Sequence, residues 1–486
     1  MLVFAFYTYL FLQGNLQSDL QEVLSHPALF RAHVGVFVKE IGGDILFEHN
    51  AEKRFTPASI VKLVTAATAW ERLGPEFTPQ TIIWREGKTV KILGGGDPGL
   101  TIEELRSAAK VLKISSKDTV LFDDYLFGPE RYAPGWMLSD LPQSYCPYVS
   151  ALSINDGKLE LWAKDGKAFL LPRNFGIKVT LSFDSKTESI EFSESGRNIV
   201  VSGLKDLEEK RIAEIPLFDS GMAAAMVLHS KPLRAKGLRA PKDLSKFPHV
   251  VIRKRSVANL LEKALQESDN FYAETLLRLT GALTGKSGSW QDSLELASLK
   301  LQECEVSKEE FRLADGSGIS RLNEITPRAI AKLLEKMCSS YRGERFLSCL
   351  ATPGVGTLEK RLEGMKLWGK TGTLRGASNL AGILEIEKPA KRRIVFVIFV
   401  NHHAAEAETI RELQDEMVKK IYALSLSNLT PHLRTENASS AGLKPGAKVH
   451  RLPVHANAGR RLSSALRSLR ETYPVDSFHS VAYKTF

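Results

Sequence analysis

From Ile60 to Trp70 the apolar positions run round the whole of a helix axis. At about 100° per residue, Ile60, Val61, Leu63, Val64, Ala66, Ala67 and Trp70 leave almost no polar stripe, the pattern of a helix buried on every side. Thr56 is a candidate cap, Pro57 suits a first helical position, and Ser59 falls in the opening turn. Upstream, Ala32 to Asn50 alternates apolar and polar residues on either side of Gly42-Gly43, which predicts a β-hairpin. Far downstream, "LWGKTGTL", "NLAGILEIE" and "RRIVFVIFVN" predict three more strands before a helix from about Ala405 to Leu424. Between these groups, "SVANLLEKALQESDNFYAETLLRLTGAL" and "TPRAIAKLLEKMCSS" have helical periodicity. Two strands, a helical block and three strands predict an α/β fold in which both chain ends build one antiparallel sheet.

From about Phe77 to Val250 the pattern changes. Glycine and proline clusters ("GGGDPGL", "YAPGWMLSDLP") alternate with strand-like runs such as "GIKVTLSFD" and "SIEFSES", which predict a mainly β insertion. The expected organisation is a body of residues 26–76 and 251–424, an inserted region of 77–250 with a smaller domain nested at about 161–228, and a flexible tail of 425–486. "MLVFAFYTYLFLQG" is short for a membrane span but adequate for a signal-peptide core, so residues 1–25 form a candidate export segment. It lacks a preceding Lys or Arg and a clean A-x-A site.

A chain of 486 residues with 43% hydrophobic and 25% charged residues has ample material for a soluble core. The net charge of +10 is concentrated at the end, where Ser425 to Phe486 carries nine Lys/Arg against three Asp/Glu. That distribution argues against nucleic acid, which needs a basic face on a folded module. In the tail, Leu462, Leu466, Leu469 and Tyr473 recur at helical spacing among arginines, so a basic helix in peripheral contact with a membrane and a solvated coil are both open. Cys146, Cys304, Cys338 and Cys349 form no CxxC pair, and "NHHAAEAE" lacks a third ligand, so no metal is implied.

The one cation in the apolar stretch is Lys62, three residues after Ser59 and therefore on the same helical face. Moving its pKa from about 10.4 to near 7 takes roughly 3 units, or about 4 kcal/mol, within reach of desolvation plus a second cation. Such a lysine would deprotonate a serine; a lysine that snorkels to water beside a capping serine fits the segment equally well.

Two further motifs follow in order: Ser268-Asp269-Asn270 amid helices and Lys370-Thr371-Gly372 on a strand. Each alone has a bland counterpart, a helix cap for the first and a turn ending a strand for the second. Ser153-Ile154-Asn155 also fits S-x-N, but lies in an extended stretch of the insertion. Gly364 to Thr371 satisfies the phosphate-loop pattern G-x-x-x-x-G-K-[ST] without the strand before it and the helix after it that phosphate binding needs.

Together the three motifs match the S-x-x-K, S-D-N and K-T-G set of serine penicillin-recognising enzymes. The sequence resembles the class C low-molecular-mass penicillin-binding proteins, D-alanyl-D-alanine carboxypeptidase/endopeptidases of the DacB type. The resemblance spans roughly Ala32 to Leu424 and includes the large gap between the first two motifs, "GGGDPGL", "YAPGW", "PYVSALSIND" and "DGSGISRLN". It implies a transpeptidase/β-lactamase-like domain, an antiparallel sheet flanked by helices, with an inserted β-rich domain.

The resemblance also implies roles. Ser59 would attack the terminal D-Ala-D-Ala carbonyl, Lys62 would take its proton, Ser268 would pass the proton to the leaving amine, and Asn270 would orient Lys62 and the substrate amide. Lys370 would lower the Lys62 pKa and attract the substrate carboxylate, which Thr371 and Thr373 would hydrogen-bond, while Gly372 leaves room for close approach. The oxyanion would sit between the N–H groups of Ser59 and Thr373. Asp315 and Ser317 are carried as cleft-lining residues. No cofactor is implied. The expected partners are peptidoglycan stem peptides, with β-lactams as covalent inhibitors, and the expected location is the periplasm or cell envelope after export. The alternatives are a β-lactamase or esterase, and a catalytically silent peptidoglycan-binding protein on the same fold.

Overall fold

The five strands expected at the two ends of the chain pair into one sheet. The computed structural model describes residues 16–427 except 142, 166, 174, 183–188, 194–197, 204–208 and 388–390. The strands of the main sheet are β1 (His33–Glu40), β2 (Ile45–His49), β3 (Leu367–Leu374), β4 (Ala377–Ile386) and β5 (Arg392–Asn401). Their order is β3-β4-β5-β1-β2, all antiparallel, with His33 opposite Asn401 and Gly372 opposite Asn379.

The apolar runs of β4 and β5 follow from helices covering both faces, so that neither side of the strand meets water. Along β5, Val395, Val397 and Phe399 enter one core, and Phe396, Ile398 and Val400 enter another. The first core packs against α1 (Lys62–Arg72), α2 (Val257–Gln266), α3 (Asn270–Thr284), α4 (Trp290–Glu303) and α5 (Pro327–Cys338). The second packs against α6 (Ala407–Ser427) and a helix at 16–24. Leu16, Leu20 and Val23 of that helix are buried, so residues 16–24 of the expected 1–25 export segment belong to the folded body.

Every residue from Lys62 to Trp70 is buried. Helix α1 is preceded by a 3-10 turn at Ala58–Val61, and the Thr56 side chain does not cap it. Thr56 acts through its backbone instead. Its N–H donates to Asn401 Oδ1 at 2.7 Å, and its C=O accepts from Asn379 Nδ2 at 3.0 Å and Asn401 Nδ2 at 3.3 Å. These two buried asparagines dock the approach to Ser59 onto β4 and β5.

The inserted region has its own apolar core. A mixed five-stranded sheet runs in the order Leu233–Arg234, Thr119–Asp123, Thr89–Leu93, Thr81–Glu86, His249–Ile252. Two three-stranded sheets lie between residues 158 and 216. The strand pattern misses two helices here, Ile102–Val111 and Ser220–Leu228. The first had a signal, since Thr101 and Glu104 form a capping box. His249–Ile252 pairs with Thr81–Glu86, so the inserted sheet runs past the expected boundary at 250. Phe127, Ala133, Val149 and Ala151 join the core of the main body instead, tying the two regions together.

Tail residues from 428 onward, including the Leu462 to Tyr473 stripe, lie outside the described residues, as do residues 1–15. Among the described residues no helix is long and apolar enough to cross a membrane.

Replacing Asn401 by Leu strands the Thr56 N–H in an apolar site. The expected cost is roughly 1–3 kcal/mol, read as a lower urea midpoint at unchanged m-value.

Candidate active site

Helix α1, the start of α3, strand β3 and the loop 314–323 converge on Ser59. Lys62 Nζ donates to Ser59 Oγ at 2.8 Å, to Asn270 Oδ1 at 2.6 Å and to the Ser317 carbonyl at 2.7 Å. The Asn270 amide is oriented by its second bond, in which Nδ2 donates to the Tyr145 carbonyl at 2.7 Å. Two of the three Lys62 partners are therefore oxygens that cannot donate. A neutral amine has two N–H groups and one lone pair. It keeps its bonds to Asn270 and Ser317 and turns the lone pair on Ser59, the one partner with a proton to give.

Lys62 is 1% exposed, and burial lowers its pKa to about 8 against the opposing pull of Asp315, Asp269 and Glu274. Lys370 Nζ donates to Ser268 Oγ at 2.8 Å and to the Thr371 carbonyl at 2.8 Å. Burial first, and then the Lys62 charge, push Lys370 well below the ordinary lysine value. The two centres meet through Ser268-Asp269-Asn270: Asp269 caps α3, Asn270 opens it, and Ser268 is left-handed with φ 62°. The motif is thus a helix cap and a junction of both lysines at once.

Gly372 has a different neighbour from the one expected. A Cβ there would lie 2.6 Å from the Pro57 carbonyl and 3.1 Å from the Ile60 nitrogen, so its hydrogen lets β3 press against the Ser59 turn. Thr371 and Thr373 lie on the other face of the strand. They line a groove of about 490 Å³ that continues past Lys360, Arg361 and Arg411. Arg361 is paired with Asp415 at 2.7 Å.

Asp315 and Ser317 do not line the cleft. Asp315 is 1% exposed and accepts from the N–H groups of Gly318 and Ser320, from Asn323 Nδ2 and from Trp136 Nε1, all within 2.8 Å. A carboxylate so engaged organises its own loop and has no oxygen to offer a ligand. Ser317 is fully buried and reaches the site through its backbone carbonyl.

The backbone leading to that carbonyl is held by a residue the sequence pattern does not flag. Glu274, on α3, accepts from the N–H groups of Gly316 and Ser317 and from Trp290 Nε1, and burial pushes its carboxyl up to about 7, with Asp315 adding to the effect. Its only signal is an acid inside the apolar run "FYAETLLRL". Ser153 is buried, and Asn155 turns to the Lys158 carbonyl at 2.7 Å, so the alternative S-x-N motif does not reach Lys62. Gly369-Lys370-Thr371 lies inside a strand followed by another strand, unlike a phosphate loop.

A serine and a buried lysine hydrogen-bonded one turn apart, inside a three-layer α/β body, have the arrangement of a serine hydrolase. The signature of the D-Ala-D-Ala carboxypeptidase 3 (S13) family matches residues 16–421, and the chain belongs to that family. It is 27% identical over 448 residues to a D-alanyl-D-alanine carboxypeptidase of Actinomadura sp. (strain R39), covering 81% of this chain and 82% of that protein. It is 23% identical over 468 residues to the D-alanyl-D-alanine carboxypeptidase DacB of Haemophilus influenzae, covering 83% and 92%. Among solved structures, penicillin binding protein 4 (dacB) from Haemophilus influenzae superposes with a TM-score of 0.71 over 83% of this chain and 99% of that one. At 20% identity that likeness establishes the fold. The same protein in complex with a β-lactam superposes at 0.67.

Gly372→Ala pushes β3 off the Ser59 turn. The expected loss is about 1–3 kcal/mol of stability, together with at least a tenfold slower reaction of Ser59 with an acylating probe. Urea denaturation and labelling kinetics on the same sample separate the two.

Proposed function

We propose that the protein hydrolyses the terminal D-Ala-D-Ala bond of peptidoglycan stem peptides through an acyl-enzyme on Ser59, and that β-lactams acylate the same serine. The observation that carries this reading is the partner set of Lys62, which leaves the lone pair of the neutral amine no proton donor but Ser59.

Lys62 takes the Ser59 proton as the hydroxyl attacks the carbonyl. Ser59 stands in the first turn before α1, where backbone N–H groups have no intrahelical partner; its N–H and that of Thr373 receive the developing oxyanion. Ser268 carries the proton to the leaving D-alanine, with Lys370 as its donor on the far side. Asn270 holds Lys62 and receives the substrate amide. The substrate carboxylate binds at the hydroxyls of Thr371 and Thr373, and its charge favours the ammonium form of Lys370. Water then releases the acyl group. Action on D-Ala-diaminopimelate cross-links falls within the same chemistry, since only the leaving amine changes.

The names of the relatives support a location in the cell envelope, and the apolar start of the chain supports export. Peripheral membrane contact through the basic tail rests on its composition. A division into body (16–76 and 253–424) and insertion (77–252, with a nested unit at about 161–228) is supported by the separate apolar core of the insertion and by the pairing of His249–Ile252.

Incubation with a pentapeptide ending in D-Ala-D-Ala is expected to release D-alanine, and a labelled penicillin is expected to stay on the protein. Ser59→Ala should lose both by at least about 10³-fold. Rapid penicillin turnover without D-alanine release would identify a β-lactamase, and an unlabelled Ser59 would leave only a binding protein.

The rate of acylation is expected to rise with pH through about 8, because below that value Lys62 holds the proton it must accept. A flat profile between pH 6 and 9 would contradict the assignment of the base. Amidation of the substrate C-terminus should lower kcat/KM by roughly 10–100-fold, the worth of a charge-assisted hydrogen bond.

A further inference from the structure

The alternative S-x-N motif does no chemistry, yet the residues just after it touch the motif that we assign to catalysis. Asn155, Asp156 and Gly157 are all left-handed, with φ of 55°, 54° and 70°. Non-glycine residues hold that conformation where their surroundings impose it. The turn delivers two charges to the start of α3. Asp156 accepts from Tyr272 Oη at 2.6 Å and from Lys263 Nζ at 2.6 Å. Lys158 Nζ lies 3.5 Å from Asp269 Oδ2 and 3.4 Å from Glu214 Oε2. Gly157 sits against the Phe271 ring, where a Cβ would come within 3.3 Å. A fourth tie comes from the same side of the chain, the Tyr145 carbonyl that fixes the Asn270 amide. Four successive residues, Asp269 to Tyr272, are thus each held by residues 145–158.

We propose that Asp156 and Lys158 are positioning residues for the reaction: the inserted region clamps the Ser268-Asp269-Asn270 turn, and Lys158 neutralises the carboxylate of Asp269 next to the base. The proposal rests on the reading of Ser59 and Lys62 as nucleophile and base. It gives the insertion a part in positioning the reacting groups, beyond any role as a binding surface. Ser268, itself left-handed, accepts from Lys370 immediately before these fixed residues.

The clamp has an electrical consequence that simple propping lacks. Lys62 faces Asp269, Glu274 and Asp315, which favour its charged form against desolvation, and its own charge disfavours that of Lys370. Lys158 faces Asp269 and Glu214. Without the Lys158 charge, Asp269 acts on Lys62 uncompensated, Lys62 keeps its proton to higher pH, and the acidic limb of acylation moves up.

The test is the pH profile of acylation by a labelled penicillin, measured on full-length wild type, Lys158→Met, Lys158→Arg and Asp156→Asn, with the melting temperature of each. Wild-type labelling that disappears in Ser59→Ala checks the underlying reading separately. The expected result is a limb displaced upward by about half a pH unit in Lys158→Met and returned to its wild-type place in Lys158→Arg. In Asp156→Asn, which keeps the shape of the side chain, acylation is expected to slow about tenfold at unchanged penicillin affinity. A folded Lys158→Met with an unmoved limb overturns the electrical part, whatever its rate, and wild-type acylation in Asp156→Asn overturns the clamp.

Discussion

A lysine without access to water is the constraint around which the rest of the structure is arranged. Holding the Lys62 pKa at about 8 corresponds to about 3 kcal/mol against its charged form. That cost is tolerable because three oxygens within 2.8 Å receive its N–H groups and three carboxylates oppose the desolvation. Each of those partners needs its own support. The Ser317 N–H is held by Glu274, Glu274 by Trp290, and the N–H of Gly318, on the peptide that carries the Ser317 carbonyl, by Asp315. Removing one partner of such a network leaves a buried polar group unmatched, which is why the site extends well beyond the residues that touch a substrate.

The fold supplies this arrangement from distant parts of the chain. Strand β5 at the centre of the sheet carries Asn401, which docks the residues leading to Ser59, and edge strand β3 carries Lys370 and Gly372. Helix α3 brings Asn270 and Glu274 on one element, a turn apart, so that one ligand of Lys62 and the support for another move together. The insertion closes the remaining side at the start of α3. The sheet and the insertion thus both hold the site.

Much of this was legible in the sequence because it follows from spacing. Ser59 and Lys62 share a helical face, the apolar runs at the two chain ends predict five strands, and the two further motifs have fixed internal spacing. What spacing cannot show is which backbone carbonyl a buried ammonium will find. The Ser317 and Tyr145 carbonyls, which depend on loop paths, therefore have no signal in the spacing, and Ser317, expected to line the cleft, reaches the site through its backbone. Asp315 was misplaced for a related reason, since an acid in a glycine-rich loop looks the same whether it faces a cleft or caps its own loop. Asn379 and Asn401 left a trace, being polar residues at the ends of apolar strands, but their partner is the backbone of a residue more than three hundred positions away.

The central claim is that Lys62 is neutral for a substantial fraction of the time near neutral pH. It is tested most directly by NMR titration of the protein carrying lysine labelled at the side-chain nitrogen, with the Lys62 signal assigned by its loss in Lys62→Arg. A midpoint near 8 is the predicted result. A Lys62 signal that titrates at the ordinary lysine value of about 10.4 would contradict the account.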